Sequence, residues 1–278
     1  PAGRIQPGAA FGIGWLLSAF ALIHLAHMVN MEAAALTAAT LAVYLFVYTP
    51  LKQQSDTNTL VGAVSGALPP LIGWAGAAGP SPVDAPYFRW QLLVEPGAIY
   101  LFMLLFLWQL PHFLAINWMY RDQYLQGGFV MLANDDEEGR KTSLHALGYA
   151  IATFLLMFYP VYEGVAEPWF LAPALLLAGW LCSLAWKFRI HRERAHARKL
   201  FFCTLMYLVR GCIIGAPQYR VAFNGIRLEQ RIAAFEEEYA KLNAQAQKDF
   251  WYYLLTSEAT DEQQQLEALM LNVLETFP

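Results

Sequence analysis

The chain has 278 residues, of which 57% are hydrophobic and only 14% are charged, whereas a soluble domain is about 45 to 50% apolar and about 25% charged. Its high hydrophobicity excludes a disordered chain, and its net charge of -4 lacks the basic footprint of a nucleic-acid-binding protein. Three cysteines in so long a chain predict no disulfide framework. The composition therefore predicts a membrane protein whose partners do not include nucleic acid.

Apolar segments long enough to cross a bilayer recur along the chain. The hydrocarbon core of about 30 Å requires roughly 20 apolar residues of helix. Seven segments meet this requirement: Ala10–Val29, Ala33–Thr49, Leu60–Gly79, Gly97–Tyr120, Leu144–Tyr162, Trp169–Trp186 and Leu200–Ala216. They predict an all-α, polytopic bundle of seven transmembrane helices within a membrane domain of residues 1–217. Pro69 and Pro70 predict that the third helix is buried and broken, and the spacing of Gly62 and Gly66 is compatible with close helix packing.

The basic residues predict the topology of this bundle, because Lys and Arg collect in cytoplasmic loops. Ahead of Arg210, eleven of them lie on one side of the seven crossings, in four segments that contain Arg4, Lys52, Arg121 and residues 187–199, and only Arg89 lies on the other side. We therefore expect the first side to be cytoplasmic.

Both ends of the chain depart from this pattern. The chain starts at Pro1 without a signal-peptide pattern, so we expect a fragment whose upstream part is absent. Arg210 is expensive in hydrocarbon, and the polar residues after it show apolar side chains at helical spacing. Residues 218–278 are therefore predicted to form a short, soluble, amphipathic helical tail.

The first polar constellation is the loop from Tyr48 to Asn58, which combines one cation with many hydroxyl and amide groups. That mixture suits an oxyanion such as diphosphate. Lys52 would supply a mobile charge, and Thr49 and Asn58 could exchange hydrogen bonds with a phosphate or its hydrated metal. The alternative is an ordinary interfacial lysine.

The second constellation runs from Trp108 to Phe113 and continues into residues 120–124. Gln109 and His112 are three residues apart, which predicts a shared helix face that lines a cavity. His112 could ligate a metal, pass a proton or bind a ligand, or be a packed polar contact. Asp122 could hold Mg²⁺ together with water and phosphate, or form a surface pair with Arg121.

Two further groups of polar residues favour structural interpretations. His24 and His27 lie three apart, but no Cys or carboxylate can be assigned to complete a metal site with them. The acidic run over residues 135–138 lacks the alternating ligand spacing of a calcium loop and is predicted to be solvated.

With these constellations, the sequence resembles the protoheme IX farnesyltransferase (heme O synthase) branch of the UbiA-type intramembrane prenyltransferases. The resemblance covers about residues 1–209, and its most specific strings are Gly-Ala-Leu-Pro-Pro-Leu-Ile-Gly-Trp at 66–74 and Trp-Gln-Leu-Pro-His-Phe at 108–113. The other matching segments are residues 1–5, 48–58, 121–132 and 197–201.

This resemblance implies a nine-helix bundle with a central cavity open to the cytoplasm, of which the chain would hold helices three to nine. It implies two acidic motifs that bind Mg²⁺ and the prenyl diphosphate. The first motif precedes the segment matched by residues 1–5, so we expect it to be absent here. In the second motif the family has a carboxylate directly before the tyrosine, where this chain has Gln123 after Asp122. Gln53 replaces a common arginine.

The function that the resemblance implies is transfer of the farnesyl group of farnesyl diphosphate to the vinyl group of heme b, which makes heme O for terminal oxidases. It implies a bacterial inner-membrane enzyme in the lipid bilayer, active on the cytoplasmic face, with Mg²⁺ as cofactor. Heme A synthase and oxidase assembly proteins are its implied partners. Lys52 and Arg121 are expected to hold diphosphate and Asp122 to hold Mg²⁺. The expected substrate contacts are Tyr48, Thr49, Asn58, Trp108, Gln109, His112 and Tyr124.

Other interpretations remain at this stage. A remnant without the first acidic motif would bind heme or lipid without turnover, and a related enzyme would prenylate another aromatic acceptor. A retinal protein would need a lysine within its last helix, where this chain has Arg210. A transporter would show internal repeats with matching broken helices, and Pro69–Pro70 has no clear counterpart.

Overall fold

A computed structural model of the chain describes residues 6–79 and 88–207. Every regular element within these ranges is a helix. Six helices are long and apolar enough to cross a membrane, and we label them α1 (Pro7–Met28), α2 (Met31–Leu51), α3 (Asn58–Ala77), α4 (Pro96–Met119), α6 (Arg140–Tyr162) and α7 (Pro168–His191). The short helix α5 (Arg121–Gln126) follows α4, and α8 covers residues 194–207.

These helices confirm the predicted all-α membrane bundle. Each of the first six predicted apolar segments lies within, or overlaps almost wholly with, one long helix. The seventh segment, Leu200–Ala216, begins in α8 and then leaves the described part of the chain, as do Arg210 and the predicted tail of residues 218–278. The protein is therefore an integral membrane protein by the length and apolar character of its helices.

The second helix changes its winding on the way to the loop that contains Lys52. It is α-helical over Met31–Ala42, a π-helix over Val43–Tyr48, and α-helical again over Thr49–Leu51. Such wide turns are rare and often occur at functional sites. Here the wide turn carries Tyr44 and Tyr48, whose ring centroids lie 5.2 Å apart.

The third helix is broken, as the two prolines predict. It consists of Asn58–Ala67 and Pro69–Ala77, which meet at Leu68. A proline lacks the N–H group that a continuous helix requires and its ring crowds the preceding turn. The first half of α3 packs against α4 and the second half against α2.

The fourth helix is the centre of the bundle. It packs most extensively against α6 and also contacts α3, whereas α6 in turn packs against α7. Ten of its 24 residues are buried, including Pro111 in its interior. By contrast, the main described neighbour of α1 is α2, and none of the residues of α1 is buried. Different faces of α4 therefore contact different neighbouring helices.

The end of the bundle away from Lys52, which we call the opposite end, contains a buried ion pair. Glu32 lies in the first turn of α2 and its side chain is 0% exposed. It accepts hydrogen bonds from the backbone N–H of Arg89 at 2.8 Å and from the guanidinium of Arg89 at 2.9 and 3.2 Å. Arg89 also donates to the carbonyl of Gly79 at 3.1 Å. Arg89, the one basic residue ahead of Arg210 that the charge pattern assigns to this side, thus has a structural role.

Candidate functional site

A cavity of about 380 Å³ lies between α2, α3, α4 and the chain that follows α4. It contains five of the residues that the sequence analysis predicted as substrate contacts or catalytic groups. The lining residues are Thr40, Tyr44, Tyr48, Lys52, Asn58, Thr59, Gly62, Ser65, Gly66, Gln109, Phe113, Ile116, Asn117, Tyr124, Phe129 and Met131. The two separate sequence constellations therefore meet at one cavity.

Lys52 is the one charged side chain among the described residues that line this cavity. Its Nζ lies 4.4 Å from the ring centroid of Tyr48, a cation–π contact. Its backbone carbonyl accepts a hydrogen bond from Val130 N–H at 2.8 Å, which fixes the loop that carries it. No described carboxylate pairs with Lys52 within 4.0 Å, so the ammonium group is available to an anionic ligand.

Two glycines of α3 make room for site side chains. A Cβ atom on Gly62 would lie 2.6 Å from Cε2 of Tyr48. A Cβ atom on Gly66 would meet the amide of Gln109, whose Nε2 donates to the carbonyl of Ala63 at 2.7 Å. The predicted close approach at these glycines is therefore made by side chains of α2 and α4.

Asn58 and Thr49 hold the backbone around the cavity. Asn58 is 1% exposed, and its Nδ2 donates to the carbonyls of Ser55 and Val130, each at 2.6 Å. Thr49 Oγ1 donates to the carbonyl of Tyr44 at 2.8 Å across the π-helical turn. Asn58 thus joins the loop after α2 to the loop after α5, and its amide donors are used within the protein.

Tyr124 contributes a phenol to the cavity from α5. Burial raises its pKa, and the neighbouring phenols of Tyr48 and Tyr120 raise it further. Its hydroxyl therefore stays protonated at neutral pH and can donate a hydrogen bond. Tyr124 lines the cavity, and its predicted role as a substrate contact stays a prediction.

Trp108 and His112 contact α8 and do not share the environment of Gln109. Trp108 Nε1 donates to the carbonyl of Thr204 at 2.8 Å, and His112 Nδ1 lies 2.8 Å from Thr204 Oγ1. Because that hydroxyl donates to the carbonyl of Phe201 at 2.6 Å, it accepts from His112, whose Nδ1 carries the proton.

The helical period explains the separation of these side chains. Three residues turn an α-helix by about 300°, so His112 lies about 60° from Gln109, on the side away from Phe113 at about 40° and Asn117 at about 80°. Gln109 therefore faces α3 and the cavity, whereas His112 faces α8. The role predicted for His112 at the cavity stays a prediction.

Arg121 and Asp122 lie at the start of α5 and are not among the described residues of the cavity wall. Arg121 lies 4.7 Å from the ring of Trp118 and donates to the carbonyl of Glu137 at 3.1 Å. Asp122, whose side chain is 56% exposed, forms an ion pair with Arg194 and lies 3.6 Å from Arg121 Nε. Their predicted roles with diphosphate and Mg²⁺ thus stay predictions.

The described residues do not complete a magnesium site. Within residues 6–79 and 88–207, no group of three or more His, Cys, Asp or Glu side chains is close enough to hold a metal ion. Among the described lining residues, none is Asp or Glu. Asp122 would have to leave two arginines to bind a cation.

Asn117 is a site residue that the sequence analysis missed. It lines the cavity from α4 and is 4% exposed, and within residues 6–79 and 88–207 its Nδ2 has no hydrogen-bond partner. It follows Gln109 and Phe113 at intervals of four residues, the spacing of one helix face. That spacing is the signal by which the sequence could have revealed it.

Comparison with known proteins gives a match to the UbiA prenyltransferase family over residues 1–208. Protoheme IX farnesyltransferase of Solibacter usitatus is 36% identical over 75% of this chain and 67% of the relative. The mitochondrial protoheme IX farnesyltransferase of Arabidopsis thaliana is also 36% identical, over 75% of this chain and 45% of the relative.

The protoheme IX farnesyltransferase of an Anaeromyxobacter species, strain Fw109-5, is 39% identical over 75% of this chain and 66% of the relative. The matched part thus spans between 45 and 67% of the length of these three relatives. No solved structure matches the chain.

Proposed function

Because this chain belongs to the UbiA prenyltransferase family, we propose that the protein to which it belongs transfers a farnesyl group from farnesyl diphosphate to the vinyl group of heme b. The substrate pair comes from the shared name of the relatives. The observation that supports this function in the chain itself is Lys52, which has no ion-pair partner in the described part of the chain and lies at a cavity whose other described lining residues are uncharged.

In the proposed reaction the bond between C1 of the farnesyl group and the diphosphate oxygen breaks, and the electron pair leaves with diphosphate. Lys52 stabilises the negative charge that develops on that oxygen, and the neutral phenol of Tyr124 can donate to it. The vinyl carbons of heme b attack the allylic cation. Water then adds to the new cation and loses a proton, which leaves a hydroxyethylfarnesyl group.

The apolar part of the cavity wall supports this chemistry. Phe113, Ile116, Phe129 and Met131 lie beside the polar residues of the wall. They exclude water from the allylic cation, which water would otherwise convert to farnesol. The rings of Tyr44 and Tyr48 add electron-rich faces near the same cation.

Magnesium dependence is a further prediction that comes from the family resemblance. When bound, the ion would neutralise charge on diphosphate. The described carboxylates do not complete a site for it. Chelation of divalent cations during the assay tests the dependence directly.

We also propose an orientation and a cellular setting. The end of the bundle that carries Lys52, Arg121 and residues 187–199 would face the cytoplasm of a bacterial inner membrane, because Lys and Arg collect in cytoplasmic loops. Heme O released there would pass to heme A synthase or to oxidase assembly proteins. Labelling of single cysteines in those loops, from either side of sealed membranes, tests the orientation.

The decisive experiment measures heme O formation by the full-length protein in membranes supplied with heme b and farnesyl diphosphate. Lys52→Ala should lower turnover by about 100 to 1000-fold, the usual loss for one group that stabilises developing charge. Lys141→Ala is the matched control, because Lys141 is an exposed lysine in the first turn of α6. Near-normal heme O formation by Lys52→Ala would contradict the role of Lys52. Absence of heme O with the wild-type protein would contradict the proposed function.

A further inference from the structure

One buried amide in the cavity wall has an unused donor within the described part of the chain. Asn117 is 4% exposed, and its Nδ2 has no hydrogen-bond partner among the described residues. The other amide and aliphatic hydroxyl groups on this wall donate hydrogen bonds within the protein. Five of these bonds go to backbone carbonyls: Thr40 to Leu36 at 2.8 Å, Ser65 to Gly62 at 2.9 Å, Gln109 to Ala63 at 2.7 Å, and Asn58 to Ser55 and Val130, each at 2.6 Å. Thr59 donates to the side-chain oxygen of Asn58 at 3.5 Å. A buried donor without a partner destabilises a fold, so its presence at a cavity requires an explanation.

The position of Asn117 indicates which part of a ligand it would meet. It lies in the last turn of α4, which ends at Met119, and Lys52 directly follows the end of α2 at Leu51. Gln109, on the same wall, is eight residues earlier and therefore about 12 Å deeper along the helix. Asn117 and Lys52 thus lie at the same end of the bundle.

The charge at this end favours an anionic partner. Lys52 is positive, and the described cavity wall has no Asp or Glu that would attract a cation. Amide N–H and ammonium groups are donors that bind an oxyanion, and a bond to the charged oxygen is stronger than one to a neutral acceptor. Rotation of the amide about its Cβ–Cγ bond, a torsion with broad minima, turns the donor between the wall and the cavity.

We propose that Asn117 is a substrate-binding residue whose Nδ2 donates a hydrogen bond to an anionic oxygen of the substrate beside Lys52. This role rests on the proposed function, whose two substrates each carry anionic oxygens. One belongs to the diphosphate of farnesyl diphosphate, and the other to the porphyrin carboxylates of heme b. The unpaired amide of the free protein is then the unoccupied half of a ligand contact.

This role predicts opposite effects on stability and on binding. Leu is close to Asn in size but has no polar atom, so Asn117→Leu should raise the melting temperature of the ligand-free protein. The same change should weaken binding of the recognised substrate by about tenfold or more, because hydrogen bonds to charged groups are the stronger ones. A residue with a merely structural role would not couple a gain in stability to a loss of affinity.

The experiment uses full-length protein in detergent or nanodiscs and measures affinity for farnesyl diphosphate, inorganic diphosphate and heme b separately. Asn117→Asp is the second variant, because a carboxylate repels an anion and should weaken binding further. Thr142→Val is the control: Thr142 is buried, like Asn117, but lies outside the wall of the described cavity. It should leave all three affinities unchanged.

The outcomes separate this role from the proposed function. Weaker binding of farnesyl diphosphate and diphosphate by Asn117→Leu assigns the oxygen to diphosphate, and weaker binding of heme b alone assigns it to a porphyrin carboxylate. Unchanged affinities in Asn117→Leu, or tighter binding in Asn117→Asp, would overturn the role of Asn117. A wild-type protein that binds neither substrate would instead overturn the proposed function.

Discussion

The two ends of the helix bundle use the same kinds of charged groups in different ways. At the opposite end, Glu32 is fully buried and receives three hydrogen bonds from Arg89. At the end that carries Lys52, which we call the loop end, the ion pair of Asp122 with Arg194 joins side chains that are 56% and 58% exposed. Burial, more than pairing, thus distinguishes the charges at the two ends.

This difference shows at which end a charged side chain can leave its ion-pair partner and bind a ligand. Two charges removed from water are stable only as a complete, hydrogen-bonded pair, so neither partner can be diverted to a substrate. An exposed pair loses little when it separates, because water and salt replace the contact. The opposite end is therefore structural, and the loop end is where a charged substrate can be bound and released.

The largest expected effect comes from breaking the buried pair. Arg89→Ala removes the cation from beside the fully buried Glu32 and should lower the free energy of unfolding by about 3 to 5 kcal/mol. Unfolding of the detergent-solubilised protein, followed by circular dichroism during titration with a denaturing detergent, measures this change.

Arg140→Ala is the control for this experiment. Arg140 pairs with Glu138 at 2.6 Å, but both side chains are more than 60% exposed. Its removal should change the free energy of unfolding by about 1 kcal/mol or less. Equal losses for the two variants would mean that the ends do not differ in the way described above.

The sequence predicts most of this fold because the bilayer imposes a simple length requirement. An apolar run of about 20 residues has few alternatives to a spanning helix, and Pro69–Pro70 mark the break in α3. The π-helical turn in α2 escapes such reasoning, since Val43–Tyr48 has an ordinary apolar composition. In this turn the ring of Tyr48 lies against Gly62 of α3, a tertiary contact that composition does not reveal.

The site is predictable to the extent that it depends on residue type and less so where it depends on helix rotation. A lysine among hydroxyl and amide groups predicts Lys52 as a candidate ligand-binding residue without any structure. By contrast, only the packing of α4 decides that Gln109 and Asn117 line the cavity while His112 contacts α8. Spacing along the chain gives the angle between two side chains of one helix, but it does not say which neighbouring helix each of them meets.

Asp136 differs from the exposed carboxylates at the loop end because it is buried. The acidic run was predicted to be solvated, but Asp136 is only 6% exposed and its Oδ2 accepts a hydrogen bond from Thr142 N–H at 2.7 Å. Asp136→Asn should lower the free energy of unfolding by about 1 kcal/mol, as for other losses at a helix N-terminus. Asp135→Asn, at an exposed neighbouring position, should have almost no effect.

The pH dependence provides a second test of the same contact. Burial alone would raise the pKa of Asp136, but hydrogen bonds from the backbone N–H and the side chain of Thr142, and from the backbone N–H groups of Lys141 and Arg140, outweigh burial and hold that pKa below its ordinary value. A carboxyl group with a lowered pKa stabilises the fold above its unfolded-state pKa and loses that effect as the pH falls through its folded-state pKa. The difference between wild type and Asp136→Asn should therefore be constant from neutral pH to about pH 5 and shrink below about pH 4. A difference that grows in acid would contradict this contact.

The smallest effect on stability is expected at Asp122, where it carries the most information about function. Asp122→Asn removes an exposed ion pair with Arg194 and should change the free energy of unfolding by less than about 1 kcal/mol, and less still at high salt. Because Asp122 is not among the described residues of the cavity wall, we expect turnover to fall far less than in Lys52→Ala. Both quantities should be measured over a range of Mg²⁺ concentrations. A large loss of turnover that added Mg²⁺ relieves would mean that Asp122 leaves its arginines to hold the metal, as the family resemblance implies. The loop end would then exchange its ion pairs for ligand contacts during each catalytic cycle, which the buried pair at the opposite end cannot do.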